Sequence, residues 1–277
     1  MVGMTNSDKS TVASFGDEWE RFDESQLPPA EAERIFAEYF SIFPWQMLPE
    51  DAVGFDMGCG SGRWARLVAP RVRHLCCIDP SSALDRAKAL LAGVGNVSFH
   101  SAMSSDRPLP ESSQDFGYSL GVLHHIPDTG AALRDCVNML KPGAPFLVYL
   151  YYAFDNRPAW FRWLWRGSEI VRQVVSRLPP FAKNLTTDAI AALVYFPLAR
   201  GAGLLKRLGF SASHAPLAYY SDHSFFTMRT DARDRFGTPL EQRFSREQIQ
   251  QMMEAAGLVE VRFSERAPYW CAVGIKA

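Results

Sequence analysis

The five cysteines of this 277-residue chain, Cys59, Cys76, Cys77, Cys136 and Cys271, form no C-x-x-C pair and have no histidine-rich partner cluster. That excludes a zinc-ribbon or dithiol redox motif and gives no metal site to expect. The odd count, without a disulfide framework, speaks for a reducing compartment. Net charge is nearly absent as well. With 29 basic side chains against 30 acidic ones the formal sum is −1, so no overall field draws nucleic acid or a membrane. Long apolar runs are missing: Ala189–Ala199 falls far short of the roughly 18–20 residues of a membrane span. Met1–Ser14 is polar, with no apolar stretch to act as a signal peptide, and is expected to be a disordered tail. A cytoplasmic protein is the expectation. What is present is ordinary for a globular chain, 47% apolar and 21% charged, enough to bury a core without metal or disulfide.

Glycine, by contrast, is concentrated where it can do chemistry. Val53-Gly-Phe-Asp-Met-Gly-Cys-Gly-Ser-Gly62 reads as a short buried strand, a tight turn and the start of a helix, with the pattern D-x-G-x-G-x-G. Glycines at Gly58, Gly60 and Gly62 admit positive φ and let a ligand approach the backbone with no Cβ in the way. The helix that follows aims its first N–H groups at the same spot. Asp56, at the head of the turn, suits a cationic amine or donor hydroxyls.

The segments after this turn alternate. Strands are expected at 72–79, 96–102, 115–123 and 145–152, with helices after Pro80, from Asp128 to Lys141-Pro-Gly143, and around the first turn. Apolar strands alternating with helices indicate a parallel sheet covered on both faces, and right-handed crossovers make it doubly wound. Ser245–Gly257 is a capped helix, and Leu258–Ser264 and Tyr269–Lys276 are two closing strands, paired antiparallel at the edge. The fold class is therefore α/β: a doubly wound, mostly parallel seven-stranded Rossmann-like sheet with an antiparallel last strand and a helical insertion. The expected division is an N-terminal tail and helical cap over 1–45, a cofactor-binding core over 46–152, an insertion or lid over 153–244, and completing elements over 245–277. Within 1–45, Pro28-Pro29 is expected to break the chain before a helix over 31–43.

The alternation stops after Tyr152. Residues 153–207 carry Trp160, Phe161, Trp163 and Trp165 and nine basic residues against three acidic ones, a local +6 that leaves −7 for the rest of the chain. Two or three amphipathic helices are expected there. They could serve as a lid or homo-oligomer interface, as a contact with an anionic membrane or an acidic carrier, or as a pocket for a large apolar substrate. Leu208–Phe244 is expected to be irregular.

The cofactor can be narrowed. In the dinucleotide pattern G-x-G-x-x-G, the third glycine after Gly58 and Gly60 would fall on Arg63. The turn, together with Ile78-Asp79-Pro80-Ser81, Ser113-Gln-Asp-Phe116, Leu123-His-His-Ile-Pro-Asp128 and Leu140-Lys-Pro-Gly143, resembles the class I S-adenosylmethionine-dependent methyltransferases, in the subgroup acting on small molecules. The resemblance covers roughly residues 50–152 and 245–277. It implies that Gly58, Cys59, Gly60 and Gly62 pack against the methionine and ribose of S-adenosyl-L-methionine, with Asp56 near the amine. It also implies Asp79, followed by Pro80, at the ribose hydroxyls, Leu120 and Gly121 beside the methionine, and Ala102 and Met103 flanking the adenine. Family members often place an acid after the third strand; here Ser101 or a backbone group stands in its place.

For methyl transfer the expected acceptor is a small-molecule or lipid-like metabolite, methylated at oxygen, nitrogen or carbon. Candidate bases are His124 and His125, beyond the fourth strand, and His223. For His124 and His125 a structural role is the leading reading, and for His223 a packed or solvated loop histidine is. Tyr219, Tyr220, Arg233 and Arg235 are candidate substrate contacts, the arginines lying in a cluster that reads either as a solvated loop or as an anion clamp. The alternatives are a nicotinamide-dependent oxidoreductase, set back by Arg63, and a non-catalytic subunit that binds the cofactor.

Overall fold

Five strands of four or five residues form the parallel part of one sheet: β1 (Val53–Met57), β2 (His74–Ile78), β3 (Val97–His100), β4 (Phe116–Leu120) and β5 (Pro145–Tyr149). In β1, β2, β4 and β5 nearly every residue is buried, as expected for strands covered on both faces. β6 (Leu258–Phe263) and β7 (Cys271–Lys276) complete the order β3-β2-β1-β4-β5-β7-β6, with β7 antiparallel to both β5 and β6. The direction of winding reverses between β1 and β4. Ligands of open α/β sheets bind at the carboxyl ends of the strands beside such a switch point.

The computed structural model describes residues 6–22, 26–211 and 215–277, which fall into two units. The first comprises the chain up to Glu20, Glu33–Ala153 and Leu240–Ala277; the second, Arg21–Ala32 and Phe154–Pro239. In the first unit, α3 (Ala65–Val68), α4 (Ala83–Leu90), α5 (Thr129–Met139) and α10 (Arg246–Ala255) accompany the sheet. Two helices start where the sequence places their caps. Asp128 accepts from the Ala131 N–H at the head of α5, and Ser245 and Gln248 form a reciprocal capping box at α10.

The second unit is helical: α6 (Ala159–Val175), α7 (Pro180–Ile190), a π turn (Ala191–Tyr195), α8 (Phe196–Arg207) and α9 (Phe225–Gly237). Its core gathers Val175, Ala191, Tyr195, Ala199, Met228, Ala232 and Phe236.

Three expectations are corrected. The chain is helical from Lys9 to Arg21 (α1), where a tail was expected to run to residue 14; residues 1–5 of that tail lie outside the described ones. Pro29 opens α2 (Pro29–Tyr39), since the first helical position has no N–H partner to lose. Within 208–244, α9 replaces irregular chain. It is buried on most sides and so shows no apolar stripe.

Candidate active site

β1 ends in a turn shaped by what its glycines lack. Gly58 has φ +78°, and a Cβ there would stand 2.4 Å from Val122 Cγ1. Gly60 has φ +52°, with the Trp19 indole Nε1 only 3.1 Å from its would-be Cβ. The N–H groups of Gly58 and Cys59 both donate to Ile78 O, at 2.7 and 3.0 Å, tying the turn to the end of β2.

Asp56 is buried beneath this turn, and its Oδ2 has no hydrogen-bond partner among the described residues; the Tyr118 hydroxyl is in the same position. Burial pushes the Asp56 carboxyl up to about 8, a nearby Tyr118 hydroxyl pulls the other way, and the charge of Asp79 adds to the rise. A carboxyl so raised holds its proton in the folded state at pH values where the unfolded chain has lost it. Unliganded stability therefore falls as pH rises from about 4 towards 8. Thermal midpoints measured across that range should flatten in Asp56→Asn. An unaltered slope in the variant would assign the dependence to other groups.

Asp79, at the carboxyl end of β2, is also buried and raised by burial, against opposing hydrogen bonds. Its Oδ2 accepts from the Gly60 N–H at 2.9 Å, and its Oδ1 from Ser81 N and Ser81 Oγ at 2.8 and 2.6 Å. Helix α1 lies over this corner. Gly16 packs so closely on Ser82 that a Cβ would come within 2.7 Å of its hydroxyl, and Trp19 in turn receives the Arg63 guanidinium at 5.3 Å. Between α1 and Pro80–Ser82 is a cleft of about 470 Å³, which Met103 also lines. Ala102 is half-buried and Ser101 exposed. Gly121 (φ +77°) donates to Tyr149 O at 3.1 Å, joining the end of β4 to that of β5, and Leu120 is buried just before it.

Beyond β4 the chain turns through Leu123–His125 in a short 3₁₀ helix. The His124 ring is fully buried, 3.9 Å from Tyr151 and 4.0 Å from His125, and neither nitrogen has a hydrogen-bond partner among the described residues. Burial pushes it well below the usual histidine range, and His125 and Arg243 push the same way, so it is neutral at physiological pH. His125 places Nδ1 2.6 Å from Leu240 O. A carbonyl only accepts, so Nδ1 carries the proton, and Nε2 is the basic nitrogen of the neutral ring. Phe15 of α1 meets the His125 ring edge-on at 4.9 Å. Arg243 lies 4.9 Å over the Tyr151 ring and donates to Glu241 at 2.8 Å.

The remaining candidates belong to the second unit. His223 is buried, its ring 4.4 Å from Tyr219. The Tyr220 hydroxyl donates to Asp231 at 2.8 Å. Arg233 is 1% exposed and donates to Asn184 at 3.1 Å; Arg235 donates to Glu169 at 3.2 Å and lies over Trp165. Both arginines sit on a buried helix, which corrects the solvated-loop alternative: their guanidinium groups are hydrogen-bonded within the unit.

The structure adds Trp19, Tyr149, Tyr151, Glu241 and Arg243 to the candidate site. Of these, Trp19 alone has a sequence signal: it and Phe22 are three residues apart, as on one helical face. Among the described residues no group of acids, histidines and cysteines could hold a metal ion.

A doubly wound sheet with an antiparallel seventh strand, and a glycine turn set between two buried acids at its switch point, defines a domain that binds an adenosine-type cofactor. A family profile described as a methyltransferase domain matches residues 55–148. Residues 55–148 thus form a methyltransferase domain of the class I S-adenosylmethionine-dependent type, whose cofactor is S-adenosyl-L-methionine. It is 28% identical over 202 residues to a ubiquinone biosynthesis O-methyltransferase of Xanthomonas axonopodis, covering 72% of this chain and 80% of that one. It is 29% identical over 104 residues to an uncharacterized methyltransferase of Bacillus subtilis, covering 36% of this chain and 41% of that protein. An O-methyltransferase family protein from Burkholderia thailandensis has the same fold, with TM-score 0.53, 13% identity, and coverage of 89% of this chain and 56% of that one.

Proposed function

We propose that this chain transfers the methyl group of S-adenosyl-L-methionine directly to an oxygen, nitrogen or carbon of a small-molecule or lipid-like metabolite. One observation carries the reading. Val122 fills the space left by the missing Gly58 Cβ, and His124 and His125 come two and three residues after it. The glycine turn and the candidate base thus share one wall of the first unit. The relatives named for ubiquinone biosynthesis are O-methyltransferases by that name, which favours an oxygen acceptor.

The residues fit the cofactor on one count: the unpartnered buried Asp56 Oδ2 offers itself to an amine. Gly58, Cys59, Gly60 and Gly62 would hold the methionine and ribose end, with Leu120 and Gly121 beside it. Asp79 and Pro80 would meet the ribose. Ser101, Ala102 and Met103 would face the adenine. When bound, S-adenosyl-L-methionine supplies a methyl group on a sulfonium, an electrophile that needs alignment more than acid–base help.

His125 Nε2 then has one task, to take the proton of a hydroxyl or amine acceptor. His124, neutral and stacked on Tyr151, positions that neighbour. His223, Tyr219, Tyr220, Arg233 and Arg235 are assigned to the second unit, as acceptor contacts or as its framework. Five free, buried cysteines support a cytoplasmic location for the enzyme, and an apolar, basic 153–207 segment supports an acceptor held at a membrane or on an acidic carrier.

The reading is tested by release of labelled methyl groups onto candidate phenols, amines and lipid-like acceptors. His125→Ala should lower kcat by about 10²–10⁴-fold, with cofactor affinity unchanged. Equal turnover in the variant would leave the reaction without this base. Asp79→Ala should weaken cofactor binding by about 1–3 kcal/mol, through lost charge-assisted hydrogen bonds. Unchanged affinity by calorimetry would place the ribose elsewhere.

A further inference from the structure

Helix α7, the π turn and α8 run without a break from Pro180 to Arg207, 28 residues that by length and composition alone are enough to cross a membrane, which corrects the expectation drawn from the short run 189–199; they extend about 42 Å at 1.5 Å per residue. Lys183, Thr187, Ala191, Tyr195, Ala199 and Ala202 form the buried stripe of this helix, facing inward within the second unit. The opposite side carries Phe181, Leu185, Leu193, Phe196 and Leu204, which are 43–82% exposed. Between Phe181 and Leu205 that exposed side holds a single ionisable residue, Arg200, whose guanidinium is turned to Ser221 O and His223 O at 2.7 and 3.0 Å. On α6, Trp160 and Trp163 are also exposed. Soluble monomers rarely leave apolar faces of this extent to water.

Charge selects the occupant. Across 153–211 the exposed ionisable side chains are Arg162, Arg166, Arg177, Arg200, Lys206 and Arg207 on one side of the ledger and Asp155 alone on the other. A second copy of the chain would bring cations against cations. An anionic phospholipid bilayer offers acyl chains to the leucines and phenylalanines, headgroups to the arginines, and an interface to the tryptophans. A membrane-spanning arrangement would carry the Asp188 carboxylate and its partners Arg21 and Arg229 into hydrocarbon, which is costly.

We propose that the second unit docks on an anionic phospholipid bilayer with the Pro180–Arg207 helix lying in the plane of the interface, Phe181, Leu193 and Leu204 inserted and the arginines of α6 at the headgroups. It rests on the proposed function only for the lipid-like acceptor that such docking would make accessible.

The test is flotation of the full chain with vesicles of phosphatidylcholine alone or with about 30% phosphatidylglycerol, a cytoplasmic-type negative surface. Partition should be at least about tenfold greater on the anionic vesicles at about 0.1 M salt, and should shrink as salt screens the headgroups. The combined Phe181→Gln, Leu193→Gln and Leu204→Gln variant should lose about tenfold or more of that partition on both vesicle types, with unaltered circular dichroism. Arg162→Glu with Arg166→Glu should remove the anionic preference. Absence of flotation, wild-type flotation by the triple variant, or a concentration-dependent dimer that the triple variant abolishes would each overturn the proposal. Calorimetry with S-adenosyl-L-methionine on the same samples reads the first unit separately, so lost lipid binding with intact cofactor binding condemns the docking and not the methyltransferase.

Discussion

Gly58→Ala should weaken S-adenosyl-L-methionine binding about 100-fold, and Val122→Ala should restore only part of it. Two independent costs meet at this position. An L residue at φ +78° pays about 1 kcal/mol or more for the left-handed conformation. A methyl 2.4 Å from Val122 Cγ1 overlaps it outright and must displace either the turn or the β4 loop, for about 1–3 kcal/mol. Together they amount to about 3 kcal/mol, or roughly two decades of affinity. Trimming Val122 relieves the overlap and leaves the backbone strain, so the double mutant should recover the steric share alone. Calorimetry on the three variants forms the cycle. Full affinity in Gly58→Ala would mean that the turn is free to move, and that the cofactor does not need it in this shape.

Arg172→Met should destabilise the second unit by about 3–5 kcal/mol, the largest effect expected of any single change outside the cofactor turn. The Arg172 guanidinium is buried. It donates to Glu169 through Nε at 2.7 Å and to Thr238 O and Pro239 O through Nη1 at 2.8 and 2.9 Å. Methionine fills similar space but leaves two carbonyls and half of a carboxylate without their donor. Arg235 continues to hold Glu169 Oε2, which limits the loss.

The acid obeys the opposite rule to Asp56. Burial raises Glu169, but Arg172 and Arg235 outweigh it and hold it below its ordinary value of 4.5. The stability it contributes is thus present above that pH and is lost as pH falls through its folded value. Because two units are present, the reading is urea unfolding followed by tryptophan fluorescence, with circular dichroism as the second probe. Pairing Arg172→Met with Glu169→Leu should cost less than the two single changes summed. Strict additivity would deny that the pair is coupled.

The sheet was legible because its strands are buried on both faces and so are apolar throughout, and because caps such as Asp128 and Ser245 mark helix starts in three or four adjacent residues. The resemblance carried by Asp56–Gly62, Asp79 and Leu123–Asp128 led to the right family for a related reason. Each of those motifs is local, a turn or a strand end whose chemistry is written in consecutive positions.

What escaped is non-local. Helix α9 hides its arginines against Asn184 and Glu169, 49 and 66 residues earlier, so its sequence looks like a solvated loop. Arg243 reaches the carbonyl of Tyr152, 91 residues before it, and no periodicity predicts that meeting. Phe15 and Gly16 gave no sign that α1 would extend across the site, because a helix that covers polar loops needs no continuous apolar stripe.

That helix has a kinetic consequence. α1 touches His125 through Phe15, Ser82 through Gly16 and the glycine turn through Trp19, and Asn6, three residues ahead of the helix, exchanges two 2.8 Å hydrogen bonds with the backbone of Asp128. On the proposed reading, donor and acceptor ends of the reaction lie beneath one short roof whose front edge is held by a solvent-exposed, two-point latch. On that reading, release of spent cofactor waits on the opening of α1, and Asn6→Ala, which removes the latch, should speed release in a stopped-flow measurement.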